Sequence, residues 1–308
     1  GQQPVNVSAN TGSTVTIGTI DNEFGYTTLN LVGNGTTSAL TMKADGAFGG
    51  ITANVSGAGA TTITQLDAGT GDLIVNSSGS GAKIYSALDS TDDATITFSG
   101  AGNHTITATT IVGDATINAS GLTGSFLTSD ISGIAGTATV TGPDTVGFTS
   151  LKLAGTAASS AIVTLGVNGV TDQLVTGSTS AEGGIEVLNF VAGASGDAID
   201  LDHSGILAMA TQIIEVDLST TALGTTDTVV VDSVSAAFDA DTLDTGTVIL
   251  NLNGNFATLG MVETALEAGG SMAITPDGAG TAADVFLVSW DDGTNSYLSA
   301  IVSAAGFV

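Results

Sequence analysis

The feature that most constrains the fold is a series of short β-type runs, which Gly, Asn, Asp and Ser interrupt about every 10 to 12 residues. Apolar and polar residues alternate within the runs, as in Thr95-Ile96-Thr97-Phe98. A period of two predicts strands with one buried face. The chain is therefore expected to be all-β, with early strands near residues 13–20, 26–32, 39–43, 61–66, 72–75, 94–98, 104–112 and 114–118.

The spacing of these runs fits either a parallel β-solenoid or an antiparallel β-sandwich. An irregular repeat favours a solenoid-like stack: Thr-x-Ile is followed by Ser-Gly or Ala-Gly, from Ile96 to Gly100 and from Ile117 to Gly121. In such a stack Thr and Asn can form ladders while small residues fill a thin core. The Gly-Gly-x-Gly-x-Asp nonapeptide of calcium-binding β-rolls does not occur. We expect a solenoid-like or sandwich body over residues 1–183.

The character of the sequence changes near residue 184, which predicts a second, β-rich domain over residues 184–308. A strand is expected at residues 185–190, and residues 256–268 carry Phe256, Leu259, Val262 and Leu266 at helical spacing before Gly269-Gly270. Residues 283–290 and 296–302 flank an Asp-Asp-Gly-Thr-Asn turn, which is typical of a hairpin. The C-terminal domain should therefore contain one short helix and a terminal hairpin.

The charge balance excludes several partners. Thirty acidic residues face only three basic ones, Lys43, Lys83 and Lys152, and the net charge is −27. Nucleic acids and anionic lipids both need clustered Lys and Arg, so neither is an expected partner. No apolar run approaches the ~18 residues of a membrane span, so membrane insertion is not expected. The lack of cysteine excludes disulfides, thiolate catalysis and Cys-ligated metals.

Aspartates dominate the charge and are the candidate metal ligands. Calcium takes six to eight oxygen ligands, which closely spaced carboxylates in Gly-, Asn- and Ser-rich loops can supply. The alternative is that they are solvated turn residues, because Asp favours turns in any case. The odd spacing of Asp200 and Asp202 places both on one face of a strand. The candidate ligands form three clusters: Asp197, Asp200 and Asp202; Asp89, Asp92 and Asp93; and Asp239, Asp241 and Asp244.

No pattern in the chain predicts catalysis. The two histidines, His104 and His203, belong to no His-Glu-x-x-His motif, and there is no Gly-x-Ser-x-Gly elbow. One Trp and three Tyr are few for the sugar cleft of a glycosidase. We expect no enzymatic activity; a lyase on a β-solenoid is the enzymatic alternative, and Lys152 is expected to be the only lysine in a strand that could serve as its base.

In the C-terminal third, a strand that ends in Phe190 precedes the element Gly-Asp-Ala-Ile-Asp-Leu at residues 196–201, and a hairpin with Asp292-Gly293 at its turn follows. This order of elements resembles the corresponding region of RTX-type proteins that type I systems secrete, including surface-layer proteins of Gram-negative bacteria. The resemblance covers about residues 184–308 and implies export through an uncleaved C-terminal signal, folding outside the cell on meeting Ca²⁺, and self-assembly. Without the nonapeptide, the usual calcium sites of that family are not carried over. The matching positions are Phe190, Gly196, Asp197, Ile199, Asp200, Leu201, Phe286, Leu287, Val288, Asp292, Gly293, Tyr297 and Leu298.

Together these observations predict an extracellular structural protein, stabilised by calcium, that assembles into a surface layer, matrix or filament. The alternative is a secreted, calcium-dependent adhesin or glycan-binding module for cell-surface polysaccharide. Val5, Val7, Val15 and Ile17 form an apolar stripe along an extended strand, so residues 2–20 are expected to join subunits by strand exchange. The competing interpretation is an ordinary first strand within its own domain. Deletion of residues 184–308 is expected to keep the protein inside the cell.

Overall fold

A computed structural model describes residues 4–22, 25–44, 49–124, 129–146, 151–153, 160–166, 170–175, 185–191, 196–200, 230–239, 247–275 and 285–302. The chain forms two compact units, Gly1–Asp202 and His203–Val308. The predicted domain boundary lies at 183/184. The elements Ile185–Leu188 and Ala198–Asp200, which follow that boundary, belong to the sheets of unit 1.

Unit 1 is a parallel β-solenoid of about eight turns. Its strands are, in chain order, β1 (Val5–Ala9), β2 (Thr14–Thr16), β3 (Thr19–Asp21), β4 (Thr27–Gly33), β5 (Thr36–Lys43), β6 (Ile51–Ser56), β7 (Thr61–Asp67), β8 (Leu73–Ser77), β9 (Lys83–Tyr85), β10 (Leu88–Ser90), β11 (Ala94–Gly100), β12 (His104–Ile106), β13 (Thr109–Ile111), β14 (Ala115–Leu122), β15 (Ser129–Asp130), β16 (Thr137–Thr141), β17 (Leu151–Lys152), β18 (Ser160–Thr164), β19 (Gln173–Val175), β20 (Ile185–Leu188) and β21 (Ala198–Asp200).

The strands of unit 1 form three parallel sheets. Sheet A has nine strands in the order β1-β4-β6-β8-β11-β14-β16-β18-β20. Sheet B contains β12-β9-β7-β10-β13 together with β5, which pairs with β2, β3 and β7, and sheet C has the order β15-β17-β19-β21. Each turn thus adds one rung to sheet A and one to sheet B or C. The all-β prediction is confirmed, and the body is a solenoid.

The core forms because alternate residues of each rung point inward and stack on the equivalent residues of the next rung. Ala, Val and Ile make up much of this core, eleven leucines lie in it as well, and Phe98 and Tyr85 are among its largest side chains. Their rings stack with centroids 5.8 Å apart. One continuous inward column of sheet A is Val5, Leu29, Ala53, Val75, Ile96, Ile117, Val140, Val163 and Val187.

Glycines form the corners between sheet A and sheet B. Gly57, Gly79 and Gly100 have φ of 110°, 106° and 90°, a region that favours glycine. A Cβ on Gly81 would lie 2.0 Å from the carbonyl oxygen of Gly59, so neighbouring turns touch through bare backbone at this corner. The repeated Gly-x-Gly therefore fixes both the bend of each turn and the distance between turns.

Unit 2 contains β22 (Val230–Val234), β23 (Phe238–Asp239), β24 (Thr247–Asn255), the helix α1 (Leu259–Leu266), β25 (Ile274–Thr275), β26 (Val285–Asp291) and β27 (Ser296–Val302). Its main sheet has the order β22-β24-β26-β27, and β26 and β27 are antiparallel. The predicted hairpin and helix are confirmed. The helix is shorter than residues 256–268, because Thr258 caps its N-terminus and Gly269, at φ 87°, follows its last turn.

Two predicted strands are each divided in two. The run at 13–20 forms β2 and β3 with a break at Ile17-Gly18, and the run at 104–112 forms β12 and β13. The breaks bend sheet B, so the long strand β7 pairs with β9 along its first part and with β10 along its last part. Period-two alternation does not reveal such a bend.

Candidate functional site

The first acidic cluster is spread over a corner and does not converge. Asp89 accepts a hydrogen bond from Gln65 Nε2 at 2.8 Å, and Asp93 Oδ1 accepts one from the backbone N–H of Asp114 at 2.9 Å. Asp92 lies between them on an exposed turn. Each of the two hydrogen-bonded carboxylates therefore engages a residue of a neighbouring turn.

Only parts of the other two clusters lie within the described residues. The Asp197 carboxylate accepts hydrogen bonds from the backbone N–H groups of Asp172 at 2.9 Å and Val191 at 2.8 Å. Asp200 belongs to β21 and the exposed Asp239 to β23, while Asp202, Asp241 and Asp244 lie outside the described residues. Asp197 thus ties one turn of the solenoid to the next.

Three aspartates stack on consecutive turns and form what we call the aspartate column. Asp72, Asp93 and Asp114 each precede a strand of sheet A, and those strands pair in register. Asp114 Oδ1 accepts a hydrogen bond from the N–H of Thr137 at 2.8 Å, repeating the contact that Asp93 makes to Asp114. Within the described ranges, no three His, Cys, Asp or Glu side chains form a group that could hold a metal ion. The column therefore concentrates negative charge at one edge of sheet A.

A Ser–His pair lies inside the solenoid. His104 is fully buried; its Nδ1 lies 3.0 Å from the carbonyl oxygen of Gly102 and its Nε2 lies 3.0 Å from Ser77 Oγ. Because a carbonyl only accepts, Nδ1 carries the proton, and Ser77 donates to Nε2. Burial, with a smaller contribution from the Lys83 charge, lowers the pKa of His104 to about 4, although the bond to Gly102 opposes this. The pair is enclosed in the core, and a backbone carbonyl orients the His104 ring. This arrangement indicates a structural role in the packed core.

Lys83, one rung before His104, is also fully buried. Its Nζ donates hydrogen bonds to the carbonyl oxygens of Gly57 at 3.1 Å, Gly59 at 3.0 Å and Gly81 at 2.9 Å. Desolvation by burial lowers the pKa of Lys83. The ammonium group therefore closes the glycine corner from inside by joining two successive turns.

The positions of these buried groups can be recognised in the sequence, although composition alone does not reveal them. Lys83 and His104 each follow a Gly-x-Gly by two residues, as do Thr37 and Thr61, and the four residues are register partners in one inward column. Lys152 does lie in a strand, as predicted, and its Nζ is 3.5 Å from Asp130 Oδ2. It is not the only lysine in a strand, because Lys43 ends β5 and Lys83 begins β9.

The outward side of sheet A carries two columns of residues that we call the Thr/Asn face. None of these side chains is buried, and Asn30, Asn54 and Asn76 are joined by amide hydrogen bonds of 2.9 Å. The predicted Asn ladder is thus present. The first column is Thr28, Thr52, Ile74, Thr95, Thr116, Thr139 and Ile162, and the second is Asn30, Asn54, Asn76, Thr97, Asn118, Thr141 and Thr164.

Unit 2 has a polar cleft of about 310 Å³ beside its terminal hairpin. Asp292 organises the hairpin by accepting hydrogen bonds from Tyr297 Oη at 2.7 Å and from the N–H groups of Thr294 and Asn295 at 2.8 Å, and these bonds lower its pKa. Trp290 stacks on Tyr297 with ring centroids 5.1 Å apart. The cleft is lined by Asn251, Leu252, Asn253, Gly254, Asn255, Ser289, Trp290, Asp291 and Ser296.

Comparisons with protein-family models, with curated proteins and with solved structures found no match to this chain. Among the described helical residues, none form a helix of the length and apolar character that a bilayer crossing needs.

Proposed function

We propose that this chain is an extracellular, non-enzymatic structural protein that assembles with copies of itself into a surface layer, matrix or filament. The observation that carries the proposal is the open first rung of the solenoid. β1 is the end strand of sheet A and pairs with β4; within the described residues, no strand lies on its other side. Val5 and Val7 are half-buried against the core, which leaves apolar surface at this end.

An open strand edge supports association for a simple reason. Its free N–H and C=O groups lose their water on contact and need partners, and a strand from another copy supplies them. β1 is hydrogen-bonded within its own chain, so the contact we propose adds a neighbour to its free edge. The exchange of residues 2–20 would instead require β1 to leave β4. Two first rungs that meet by a two-fold axis would give a closed dimer, so a layer, matrix or filament requires a second contact between such dimers.

The assembly test compares two double variants. Asn6→Glu with Ser8→Glu adds charge to exposed positions of the first rung, and a two-fold contact would bring these charges together. Asn118→Glu with Ser120→Glu makes the same change on the internal rung β14. Sedimentation velocity and electron microscopy should show smaller assemblies for the first variant alone. Equal assembly by both variants, or a monomeric parent protein, would count against the edge contact.

Export is the second part of the proposal, and unit 2 is the segment we expect to direct it. Removal of residues 203–308 leaves unit 1 whole, which makes this cut cleaner than one at residue 184. The truncated chain should stay inside cells that secrete the full chain through a type I system. Its appearance in the medium at the parent level would contradict the proposed role of unit 2.

Calcium is proposed to stabilise the folded or assembled state. The support is the net charge of −27 together with the aspartate column, whose like charges lie one strand spacing apart. Divalent cations would relieve this repulsion without needing a closed coordination site. The predicted ligands Asp241, Asp244 and Asp202 lie outside the described residues, and calcium at those positions stays a proposal.

The polar cleft of unit 2 favours a second candidate, a secreted adhesin or glycan-binding module. Asparagine amides and serine hydroxyls suit the hydroxyl groups of a sugar, and the buried Trp290 Nε1 has no hydrogen-bond partner among the described residues. Asn253→Ala with Ser296→Ala should abolish glycan-array binding, and the exposed Ser235→Ala of the same unit should not. A protein that binds no glycan on the array would remove this alternative.

A further inference from the structure

We infer that the Thr/Asn face of unit 1 is a binding surface for crystalline water, that is, for the surface of ice. This goes beyond self-assembly and does not depend on it, because the edge contact uses the free backbone edge of β1, whereas the face is the outward side-chain surface of sheet A. The Asn column of the face continues to Asn6 on the first rung. The face covers seven consecutive rungs, from β4 to β18, and each rung presents two side chains at positions i and i+2.

The repeat along the solenoid axis is close to that of ice. Tetrahedral water with O–H···O distances of about 2.75 Å places second-neighbour oxygens about 4.5 Å apart. Neighbouring rungs of a sheet are about 4.8 Å apart, so the mismatch is about 0.3 Å per rung. The face is about seven rungs long, and the mismatch summed over these rungs stays below half of the ice repeat.

The repeat across the face also fits. Side chains at i and i+2 of a parallel strand stand about 6.6 Å apart. The puckered layers of the same tetrahedral network repeat about every 7.3 Å, from O–H···O distances of about 2.75 Å. The two columns of the face are separated by only one such repeat, so this mismatch does not accumulate. Small changes in side-chain orientation can compensate for it.

The chemistry of the face favours ordered water over other ligands. The hydroxyls of Thr95, Thr116 and Thr139 are exposed and make no hydrogen bond within the part of the chain that the structure describes. Threonine is stiff at χ1, so its hydroxyl and methyl groups form an array that is ordered before water binds. In the second column, the amide ladder holds Asn30, Asn54 and Asn76 in one orientation.

The composition of the face distinguishes ice from other ligands that could bind there. None of the fourteen face positions carries a charged or aromatic side chain, although the whole protein has a net charge of −27. One exposed aromatic residue, Tyr26, borders the face and is hydrogen-bonded through its Oη to Thr52 Oγ1. A polysaccharide surface usually offers aromatic rings for stacking on sugars, and an anionic ligand requires basic residues. Carboxylates border the face on two sides: the aspartate column lies two residues before Ile74, Thr95 and Thr116, and Glu186 of the next rung is the register partner of Ile162.

The test uses the full chain and measures thermal hysteresis and ice recrystallisation by microscopy. The parent protein should shape ice crystals and suppress recrystallisation. Thr116→Tyr with Thr139→Tyr places bulky rings in the middle of the face, and at least ten times more protein should then be needed for equal suppression. The control, Thr64→Tyr with Thr110→Tyr, makes the same change at exposed positions of sheet B and should match the parent.

Circular dichroism and sedimentation on the same samples make every outcome informative. A folded face variant that loses ice activity while keeping the parent's assembly supports the inference, whatever the fate of the edge contact. A parent protein without effect on ice, or equal activity in all three proteins, overturns it. So does a face variant whose first defect is dissociation of assemblies, because the face would then be an interface between copies. Loss of binding to insoluble cellulose or chitin without any ice activity would assign the face to polysaccharide instead.

Discussion

At the scale of single residues, the solenoid keeps polar side chains inside where the chain turns. Lys83 and His104 occupy inward positions directly after glycine corners, where backbone carbonyls face the core. A buried ammonium is costly unless it is fully hydrogen-bonded, and here three carbonyls share it. These inward polar side chains therefore help to hold successive turns together.

Replacing Lys83 tests this bond directly. Lys83→Met keeps the length of the side chain but removes the ammonium group that donates to the carbonyls of Gly57, Gly59 and Gly81, so unit 1 should lose about 3 kcal/mol. The partly exposed Lys43→Met should cost less than about 1 kcal/mol. Urea unfolding followed by circular dichroism gives both values. Equal losses would mean that the carbonyls do not depend on the ammonium group.

The pH dependence of stability should report on His104. Its folded pKa of about 4 lies below its ordinary value of 6.5, so the unfolded chain takes up the proton first. The stabilisation is complete above pH 6.5 and is lost as pH falls toward 4. Between pH 7.5 and pH 5 the loss should be about 2 kcal/mol, or about 5 °C in Tm.

The variant His104→Gln should have a flatter Tm profile over the same range. The window from pH 7.5 to pH 5 avoids most carboxylate titration, and His203 is common to both proteins, so the difference isolates His104. Parallel profiles would show that His104 is not buried in its neutral form.

At the scale of elements, the glycine corners determine how closely turns can stack. Gly59, Gly81 and Gly102 follow one another along the axis, and a Cβ on any of them would meet a carbonyl oxygen of the previous turn at 2.2 Å or less. The obstacle is backbone and not a flexible side chain. A substitution at one of these glycines therefore alters the contact between two whole rungs.

Gly81→Ala should consequently destabilise unit 1 by about 3 kcal/mol, because the added methyl group forces two rungs apart. Gly18→Ala is the matched control, since nothing lies within 4 Å of its added Cβ. Thermal melts of the two variants measure the difference. If Gly81→Ala melted with the control, the rungs would be less closely packed at this corner than the structure shows.

The sequence predicts strands and turns better than it predicts their partners. Alternation identified β4, β11 and the terminal hairpin because each is a local pattern. Turn length varies between 21 and 25 residues, as the spacings from Asp93 to Asp114 and from Gln173 to Ala198 show, so no strict repeat reveals which residues stack. The aspartates of each predicted cluster are close in sequence, whereas the fold joins aspartates that are one turn apart, such as Asp93 and Asp114.

At the scale of the whole molecule, the stacking of turns stabilises the solenoid, whereas repulsion between its like charges destabilises it. A parallel solenoid gains stability from contacts between neighbouring turns, and it repeats every surface feature along its axis. Equivalent carboxylates thus become columns of like charge, as in the aspartate column. With three lysines in the chain, one of them enclosed in the core, internal pairing relieves little of this repulsion.

We therefore expect cations to raise the melting temperature, and calcium to act more strongly than simple screening does. The protein should melt several degrees higher in millimolar Ca²⁺ than in EDTA. NaCl at the same ionic strength is the control, because at about 0.1 M it reduces repulsion only between exposed charges farther apart than ~10 Å. A larger effect of Ca²⁺ than of matched NaCl would indicate bound ions, and equal effects would indicate diffuse screening. An unchanged melting temperature and oligomeric state in all three conditions would remove calcium from the account of how this acidic solenoid is stabilised.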